Sequence, residues 1–253
     1  MRWIKGLFGG SKDSSAEPKF GAPIVPDAPF FAVADIHGRL DLLEGVLRQL
    51  EQVDEPHPTV FVGDYVDRGP DSAGVLRRLF DLQSAKPDQV VCLAGNHEDM
   101  LLGFLDDPVR YHRLWLRNGG AETLRSFNVM SPEDERESEI LDARDELSAQ
   151  LGADLRAWLS SLPVSWRSGN VWVTHAGADP AVDMERQDRH ALIWGHPEFH
   201  KRAREDGQWV VHGHTIVPEV STQEGRISID TGAYLTGDLS FVRISDTGAA
   251  VIS

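Results

Sequence analysis

The sequence predicts an α/β protein in which layered, mixed β-sheets are flanked by helices and carry an inserted helical cap. Short apolar segments rich in β-branched residues alternate along the chain with amphipathic segments of helical period. One region, at about 104–162, is acidic and shows only the helical period. Alternating strands and helices are typical of layered α/β folds, and a purely helical stretch between them indicates an insertion.

The first half of the chain contains three strand-and-helix units. Residues 9–29 are rich in Gly, Ser, Lys, Pro and Ala without periodicity, which predicts a flexible N-terminal tail at 1–29 before one folded domain at 30–253. Strands are predicted at 30–34, 59–62 and 90–94 from their apolar, β-branched composition. The helices after the first two strands are predicted from apolar residues at helical spacing: Leu40, Leu43, Leu47 and Leu50, then Val75, Leu76, Leu79, Phe80 and Leu82.

The second half begins with the predicted cap. An acidic run at 132–137 precedes leucines at helical spacing, so this region is expected to form a helix with a solvated face. Beyond the cap, apolar segments predict strands at 171–173, 209–211, 227–229, 239–244 and 249–252.

Composition narrows the classes of partner. The chain has 40 Asp and Glu against 25 Lys and Arg, a formal charge of −15, which argues against a long nucleic acid as partner. No apolar stretch reaches the ~18 residues that a membrane span requires. The only cysteine, Cys92, lies in an apolar run and cannot form an intrachain disulfide, so we expect a cytoplasmic protein. Oligomeric state is left open.

Metal-competent residues follow five of the predicted strands directly. The carboxyl ends of strands in open α/β sheets border the binding crevice, so these residues are expected to share one rim. Taken singly, each cluster could equally be a turn or a helix cap. The clusters are 35–38 (Asp-Ile-His-Gly), 63–69 (Gly-Asp-Tyr-Val-Asp-Arg-Gly), 95–98 (Gly-Asn-His-Glu), 175–177 (His-Ala-Gly) and 212–215 (His-Gly-His-Thr).

The ligand types indicate a pair of divalent metal ions. Carboxylate, imidazole and amide groups suit Mn²⁺, Fe or Zn²⁺, and the set lacks the thiolates of a structural zinc site. Two ions about 3.5–4 Å apart can share one carboxylate and one hydroxide, and together clamp a phosphate group.

The five clusters resemble the ordered signature of the PPP serine/threonine protein phosphatases, a branch of the calcineurin-like metallophosphoesterases. The resemblance runs from residue 30 to about 244, and 115–120 (Trp-Leu-Arg-Asn-Gly-Gly) and 229–233 (Ile-Asp-Thr-Gly-Ala) resemble bacterial and phage members. It implies a metallophosphoesterase-type β-sandwich and a phosphomonoester hydrolase. Attack by a hydroxide that bridges two metal ions is expected, with Mn²⁺ preferred over Fe or Zn²⁺.

The resemblance also implies roles for individual residues. His97 is expected to protonate the leaving oxygen, Asp67 to hold the His97 ring, and Arg68 to clamp phosphate. The implied metal ligands are Asp35, His37, Asp64 as the bridge, Asn96, His175 and His214.

One position departs from the family pattern. Relatives carry a second phosphate-binding arginine two residues after a tryptophan, but here Trp194 is followed at that place by His196. Either His196 or the nearby Arg189 is expected to contact phosphate. Tyr234 lies in a segment that overlooks the site in relatives, and a core position is the alternative.

Three functions are compatible with these motifs. A phosphoprotein or phosphopeptide phosphatase is favoured, for phosphoserine, phosphothreonine and also phosphotyrosine, because 63–69 and Glu98 after His97 resemble the protein-phosphatase version. The alternative is hydrolysis of dinucleoside polyphosphates or capped RNA ends. The third is a non-catalytic phosphoprotein-binding module.

Overall fold

The computed structural model describes residues 20–252 except 54, 56 and 133–135. Two five-stranded sheets form its centre, which confirms the predicted fold of layered mixed sheets and helices. The first sheet contains β1 (Phe30–Val33), β2 (Thr59–Phe61), β3 (Val90–Cys92), β9 (Phe241–Ser245) and β10 (Gly248–Val251). The second contains β4 (Ser165–Ser168), β5 (Val171–Thr174), β6 (Trp209–His212), β7 (Ser221–Gln223) and β8 (Arg226–Ser228).

Each sheet has three parallel strands. The first has the order β10-β9-β1-β2-β3, with β1, β2 and β3 parallel and β9 antiparallel to both neighbours. The second has the order β4-β5-β6-β8-β7, with β5, β6 and β8 parallel. The parallel strands are largely buried, and all of them except β8 are nearly continuous apolar runs, as expected of buried parallel strands.

All eight predicted strands occur, and two further strands were missed. The missed strands, β4 and β7, form opposite edges of the second sheet and pair antiparallel with β5 and β8. Their sequences, Ser-Trp-Arg-Ser and Ser-Thr-Gln, carry no apolar alternation. An edge strand is held by hydrogen bonds to one neighbour, so its sequence need not signal a buried face.

The helices cover the sheets and lead into the site. Asp71 caps the N-terminus of α2 (Ser72–Ala85), because its carboxylate accepts a hydrogen bond from the Gly74 amide. The helices are α1 (Leu40–Glu51), α2 (Ser72–Ala85), α3 (Asn96–Asp106), α4 (Pro108–Trp115), α5 (Ala121–Ser126), α6 (Glu137–Ser161), α7 (Arg189–Trp194) and α8 (Ala233–Thr236). A wide, π-type turn at Leu116–Gly120 joins α4 to α5, and Met184–Arg186 forms a 3₁₀ turn.

The segment predicted as a helical cap, 104–162, contains α4, α5, α6 and the end of α3. α6 buries Leu147, Leu151 and Leu159, and packs against α2 and α3. Its Trp158 indole N–H donates to Gln83 of α2 at 2.8 Å. These helices therefore lie against the layer that covers the first sheet.

The N-terminal segment departs from the sequence prediction. Residues 1–19 of the predicted tail lie outside the described residues, but residues 20–29 lie against the second sheet. Phe20 packs edge to face on Trp209 at 4.9 Å, and Asn170 accepts a hydrogen bond from the Val25 amide at 2.8 Å. The predicted boundary at residue 29 is thus wrong for this part, because contacts with distant residues order a segment whose composition alone indicated a linker.

Within the described residues, no helix combines the length and the apolar character needed to cross a bilayer.

Candidate active site

The predicted site residues lie where the carboxyl ends of the parallel strands of both sheets meet. Asp35 follows β1 and Asp64 follows β2, while Asn96 begins α3 just after β3. His175 and His214 follow β5 and β6 of the second sheet. The structure therefore brings together residues from five separate turns, and all of them except the half-buried His214 are buried.

Asp64 lies at the centre of this cluster. Its Oδ2 is 3.6 Å from Nε2 of His37, and its Oδ1 is 3.3 Å from Nε2 of His175. Two groups of potential ligand atoms result, each within 4.8 Å: His37, Asp64 and His97, and Asp64, His175 and His214. Because Asp64 belongs to both groups, its two oxygens are arranged as a ligand shared by two cations would be.

Asn96 completes the second group. Its Oδ1 lies 2.9 Å from Nε2 of His175 and 2.9 Å from Nδ1 of His214. The other ring nitrogen of His175 is 3.1 Å from the Val62 carbonyl, and Nδ1 of His37 is 2.8 Å from the Val66 carbonyl. These carbonyls fix the ring orientations, so that Nε2 of both His175 and His37 faces the cluster.

Asp35 provides a direct test of whether the residues fit a metal. Its Oδ2 accepts a hydrogen bond from the His214 amide at 3.0 Å, but its Oδ1 is buried without a hydrogen-bond partner among the described residues. Burial, then the neighbouring Asp230 and Asp64 carboxylates, raise the pKa of Asp35 well above its usual range. A buried carboxylate oxygen beside other carboxylates is satisfied by a cation, and the donor set fits divalent metal ions.

Close backbone approach and strained backbone both occur at this site. A Cβ added to Gly213 would lie 1.9 Å from Oδ1 of Asp35, so only glycine fits beside this carboxylate. Among the described residues, seven non-glycine residues have positive φ, and five of them belong to the predicted site: His37, Asp64, Asp67, Arg68 and His214. Strained backbone of this kind clusters at functional sites.

His97 and Asp67 form a buried pair next to Asp64. Nδ1 of His97 lies 2.6 Å from Oδ2 of Asp67, and Nε2 of His97 lies 3.8 Å from Oδ2 of Asp64. Burial alone would lower the pKa of His97, but the carboxylates of Asp64 and Asp67 raise it above its ordinary value. The two carboxylates thus favour protonation of the His97 ring more than water would, and Nε2 is the nitrogen that faces Asp64.

Arg68 and Tyr234 lie beside each other at the edge of the cluster. The guanidinium carbon of Arg68 is 4.8 Å from the centre of the Tyr234 ring, and that ring is 5.1 Å from the ring of His37. No carboxylate of the described residues forms an ion pair with Arg68. Its guanidinium group is thus free to bind an anion such as phosphate.

His196 and Arg189, the candidate second phosphate contacts, lie beside carboxylates that are not among the predicted metal ligands. Nε2 of His196 lies 3.6 Å from Asp179, and its Nδ1 accepts a hydrogen bond from the Glu198 amide at 3.3 Å. Arg189 is exposed, and its guanidinium lies 3.3 Å from Asp99 in the first turn of α3. Neither side chain forms a hydrogen bond or ion pair with the six predicted metal ligands, all of which the structure describes.

Sequence reasoning missed the supporting role of Glu98. Its carboxylate accepts hydrogen bonds from the amides of Asp64 and Tyr65, both at 2.8 Å, and of Gly95 at 2.9 Å. Glu98 therefore fixes the turn that carries Asp64. The position of Glu98 three residues after Gly95, at the start of α3, was an available signal. A glutamate at this position of a helix accepts hydrogen bonds from backbone amides that have no partner within the helix.

Trp115 and Asp230 were also missed. The sequence assigned Trp115 no contact with the site, but its buried indole N–H lies 3.0 Å from Oδ1 of Asp67. Asp230 follows β8, is nearly fully buried, and accepts a hydrogen bond from the Gly232 amide at 2.8 Å. The available signal for Asp230 was its place in 229–233, directly after a predicted strand.

Comparison with known proteins relates the chain to one enzyme family. Residues 28–218 match the calcineurin-like phosphoesterase family. Serine/threonine-protein phosphatase 1 of Salmonella typhimurium is 30% identical over 221 residues, 85% of this chain and 91% of that protein. The asymmetrical bis(5'-nucleosyl)-tetraphosphatase PrpE of Bacillus velezensis is 28% identical over 238 residues, 85% of this chain and 88% of that protein.

A solved structure shares the fold. The cold-active protein-tyrosine phosphatase of a psychrophilic Shewanella species superposes with a TM-score of 0.61 and 17% identity, over 91% of this chain and 83% of that one. At this identity the likeness concerns the fold alone.

Proposed function

Because the chain belongs to the calcineurin-like phosphoesterase family, we propose that it is a metal-dependent phosphomonoester hydrolase whose substrates are phosphoproteins. Hydrolysis of phosphate esters follows from the family. Phosphoserine and phosphothreonine are the proposed substrates, with phosphotyrosine as a further one. A cytoplasmic location is part of the proposal.

One observation carries the catalytic part of the proposal. The His97–Asp67 pair, 2.6 Å apart and buried, points its free Nε2 towards Asp64, the carboxylate shared by both ligand groups. A proton donor is thereby held next to the place where two cations would hold a phosphate group. This is the geometry that breaking an ester bond to a poor leaving group requires.

The proposed reaction assigns a separate task to each group. Two divalent ions, Mn²⁺ by preference, held by Asp35, His37, Asp64, Asn96, His175 and His214, would supply Lewis acidity and lower the pKa of a water molecule. Arg68 binds phosphoryl oxygens through its guanidinium fork. The oxygen of that water molecule bonds to phosphorus as the bond between phosphorus and the ester oxygen breaks, and His97 gives the proton on Nε2 to the departing oxygen. The products are inorganic phosphate and an alcohol.

The local charges favour a monoester over a polyphosphate chain. A dinucleoside polyphosphate carries several adjacent negative charges, which call for several free cationic side chains. Arg68 has no carboxylate partner among the described residues, but Arg39 is paired with Asp41 at 2.7 Å and Arg189 with Asp99 at 3.3 Å. Of these three guanidinium groups, that of Arg68 alone lacks a carboxylate partner among the described residues, which matches a single phosphoryl group.

Hydrolysis of dinucleoside polyphosphates is the second candidate. It is supported by the 28% identity to the PrpE tetraphosphatase, which extends over most of both chains. The ligand cluster would serve either substrate, since both reactions are hydrolysis at phosphorus. The difference lies in which groups contact the substrate beyond the reacting phosphate.

A substrate panel on protein loaded with Mn²⁺ tests the proposal. Peptides with phosphoserine, phosphothreonine or phosphotyrosine are compared with diadenosine tetraphosphate at equal enzyme concentration. We expect a higher kcat/KM for the phosphopeptides, and no turnover by Asp64→Asn under the same conditions. A higher kcat/KM for diadenosine tetraphosphate would favour the second candidate, and binding of phosphopeptides without any turnover would favour a binding module.

A further inference from the structure

The end of α4 and the start of α5, on either side of the turn that joins them, contact Asp67 of the His97–Asp67 pair. Trp115, the last residue of α4, is fully buried, and its indole N–H lies 3.0 Å from Oδ1 and 3.1 Å from Oδ2 of Asp67. An indole N–H can only donate a hydrogen bond. Trp115 therefore contacts the carboxylate of Asp67 as a donor to both oxygens.

Thr123 of α5 makes a second contact with Asp67. Its hydroxyl donates to Oδ1 of Asp67 at 2.6 Å and accepts a hydrogen bond from the Asp67 amide at 2.9 Å. Ser72 accepts from the same amide at 3.0 Å, and its hydroxyl oxygen is 3.0 Å from that of Thr123. The backbone and the side chain of Asp67 are thus both fixed.

These contacts determine how Asp67 meets His97. Thr123 holds Oδ1 and Trp115 contacts both oxygens, so that Oδ2 is the oxygen that faces Nδ1 of His97 at 2.6 Å. A carboxylate that accepts from three donors is held in one orientation. With Nδ1 of His97 facing Asp67, Nε2 is the nitrogen that faces Asp64, at 3.8 Å.

The same turn also contacts Arg68. The Arg68 amide donates to the Gly119 carbonyl at 3.3 Å, and Gly119 has a φ of 101°. A Cβ at Gly119 would lie 2.6 Å from the Arg68 nitrogen, so the close approach depends on glycine. One turn of the helical segment therefore contacts both Asp67 and Arg68.

We propose that Trp115 and Thr123 are positioning residues for the reaction: they orient the Asp67 carboxylate so that His97 presents Nε2 to the leaving oxygen. This inference rests on the proposed function, in which His97 protonates that oxygen. It predicts that kcat depends strongly on both residues when the leaving group needs a proton, and only weakly when it does not.

Conservative variants separate positioning from folding. Trp115 also packs on Phe104, with ring centres 4.7 Å apart, so Trp115→Phe keeps an aromatic ring there while removing the N–H. Trp158→Phe is the matched control, because it removes an indole N–H that is bonded to Gln83. Thr123→Val removes the hydroxyl at constant shape, and Thr123→Ser restores it.

The kinetic test compares a phosphoserine peptide with para-nitrophenyl phosphate, whose leaving group needs little protonation. We expect Trp115→Phe and Thr123→Val to lower kcat on the peptide by about tenfold to a hundredfold, as for the loss of one hydrogen bond to a buried charge. The kcat on the aryl phosphate should fall far less in these two variants. Trp158→Phe should change kcat little on either substrate. Thr123→Ser should recover most of the peptide activity. Equal losses on both substrates would overturn the inference.

His97→Asn provides the reference that distinguishes the two hypotheses. If His97→Asn lowers kcat on the peptide but not on the aryl phosphate, the proposed role of His97 stands. Adding Trp115→Phe to His97→Asn should then cause no further loss of kcat on the peptide. Additive losses in that double variant would overturn the inference alone. Equal losses on both substrates for His97→Asn would overturn the role of His97 and the inference with it.

Nuclear magnetic resonance of the metal-free protein gives a readout that does not depend on turnover. The proton between Nδ1 of His97 and Asp67 should give a low-field signal, absent in His97→Asn. We expect that signal to shift or disappear in Trp115→Phe and Thr123→Val, and to be unchanged in Trp158→Phe. An unchanged signal in both test variants would contradict the proposal.

Discussion

Oδ1 of Asp64 lies 3.3 Å from Nε2 of His175, with both side chains buried. Burial alone would lower the pKa of His175, but the adjacent carboxylates, Asp64 foremost, raise it to about 9. In the metal-free protein the imidazole therefore keeps a proton on the nitrogen that the metal would need. Metal binding and protonation compete for the same atom.

The affinity of the metal-free protein for Mn²⁺ is expected to rise with pH up to about 9. Below that pKa His175 is protonated and a proton must be released on binding, so affinity should increase about tenfold per pH unit where one proton is displaced. Asp35, whose pKa is also raised, acts in the same direction. His37 and His214, with pKa values lowered to about 3 and about 4, are already neutral. Calorimetry in buffers of different ionisation enthalpy counts the protons, and a pH-independent affinity would contradict this.

Asp64→Asn is expected to reduce both metal affinity and turnover. The substitution removes the charge shared by the two ligand groups, and we expect an affinity loss above about a hundredfold, because even outer partners of metal ligands contribute about 10- to 100-fold. Elemental analysis and calorimetry measure metal content and affinity. Asp145→Asn, which removes an exposed carboxylate paired with Arg144, is the control and should bind metal normally. Unchanged metal content in Asp64→Asn would exclude a shared ligand.

The ligand cluster was predictable because its residues follow local rules. A buried parallel strand is a continuous apolar run, and the residue after it is fixed at the sheet edge, so Asp35, Asp64 and His175 could be placed from the sequence alone. The contacts of Trp115 and Thr123 with Asp67 span 48 and 56 residues of sequence. No local pattern encodes such contacts, since they depend on how the helical segment packs.

The N-terminal segment, 20–29, is a second case in which contacts with distant residues could not be predicted from the sequence. Gly and Pro near residues 20–29 favour an irregular backbone, which the structure also has. What orders this backbone is Asn170, 145 residues from Val25 in sequence, together with Trp209, whose indole N–H donates to the Ala22 carbonyl at 3.1 Å. Composition predicted the lack of regular structure but not the docking.

Asn170→Ala is expected to destabilise the protein by about 1–3 kcal/mol, as expected for the loss of several hydrogen bonds to backbone groups. The side-chain amide of Asn170 accepts a hydrogen bond from the Val25 backbone amide and donates hydrogen bonds to the Pro23 and Gly207 carbonyls. It therefore joins the N-terminal segment to the second sheet. Denaturant unfolding of the metal-free protein measures the change. Asn118→Ala, which loses one bond within its own helical region, should change stability far less. Equal effects would show that the segment does not contribute to stability.

The three candidate phosphate contacts differ in their carboxylate neighbours. Arg68 has no carboxylate partner among the described residues, whereas Arg189 is paired with Asp99 and His196 lies 3.6 Å from Asp179. A guanidinium or imidazolium already neutralised by a carboxylate gains less from binding phosphate, because the existing pair must be given up. Arg68 should therefore supply most of the phosphate affinity.

We expect Arg68→Ala to lower kcat/KM for a phosphoserine peptide by about tenfold to a hundredfold, the range for losing a hydrogen bond to a charged group. Arg189→Ala and His196→Ala should lower it much less. Replacing His196 by arginine places a permanent charge beside Asp179, so it should raise phosphate affinity only if that side chain can leave the carboxylate and reach the substrate. The inhibition constant of inorganic phosphate, measured for wild type and His196→Arg, separates these cases. An equal inhibition constant in the two proteins would exclude His196 as a phosphate contact, whereas tighter inhibition of His196→Arg would identify position 196 as the second one.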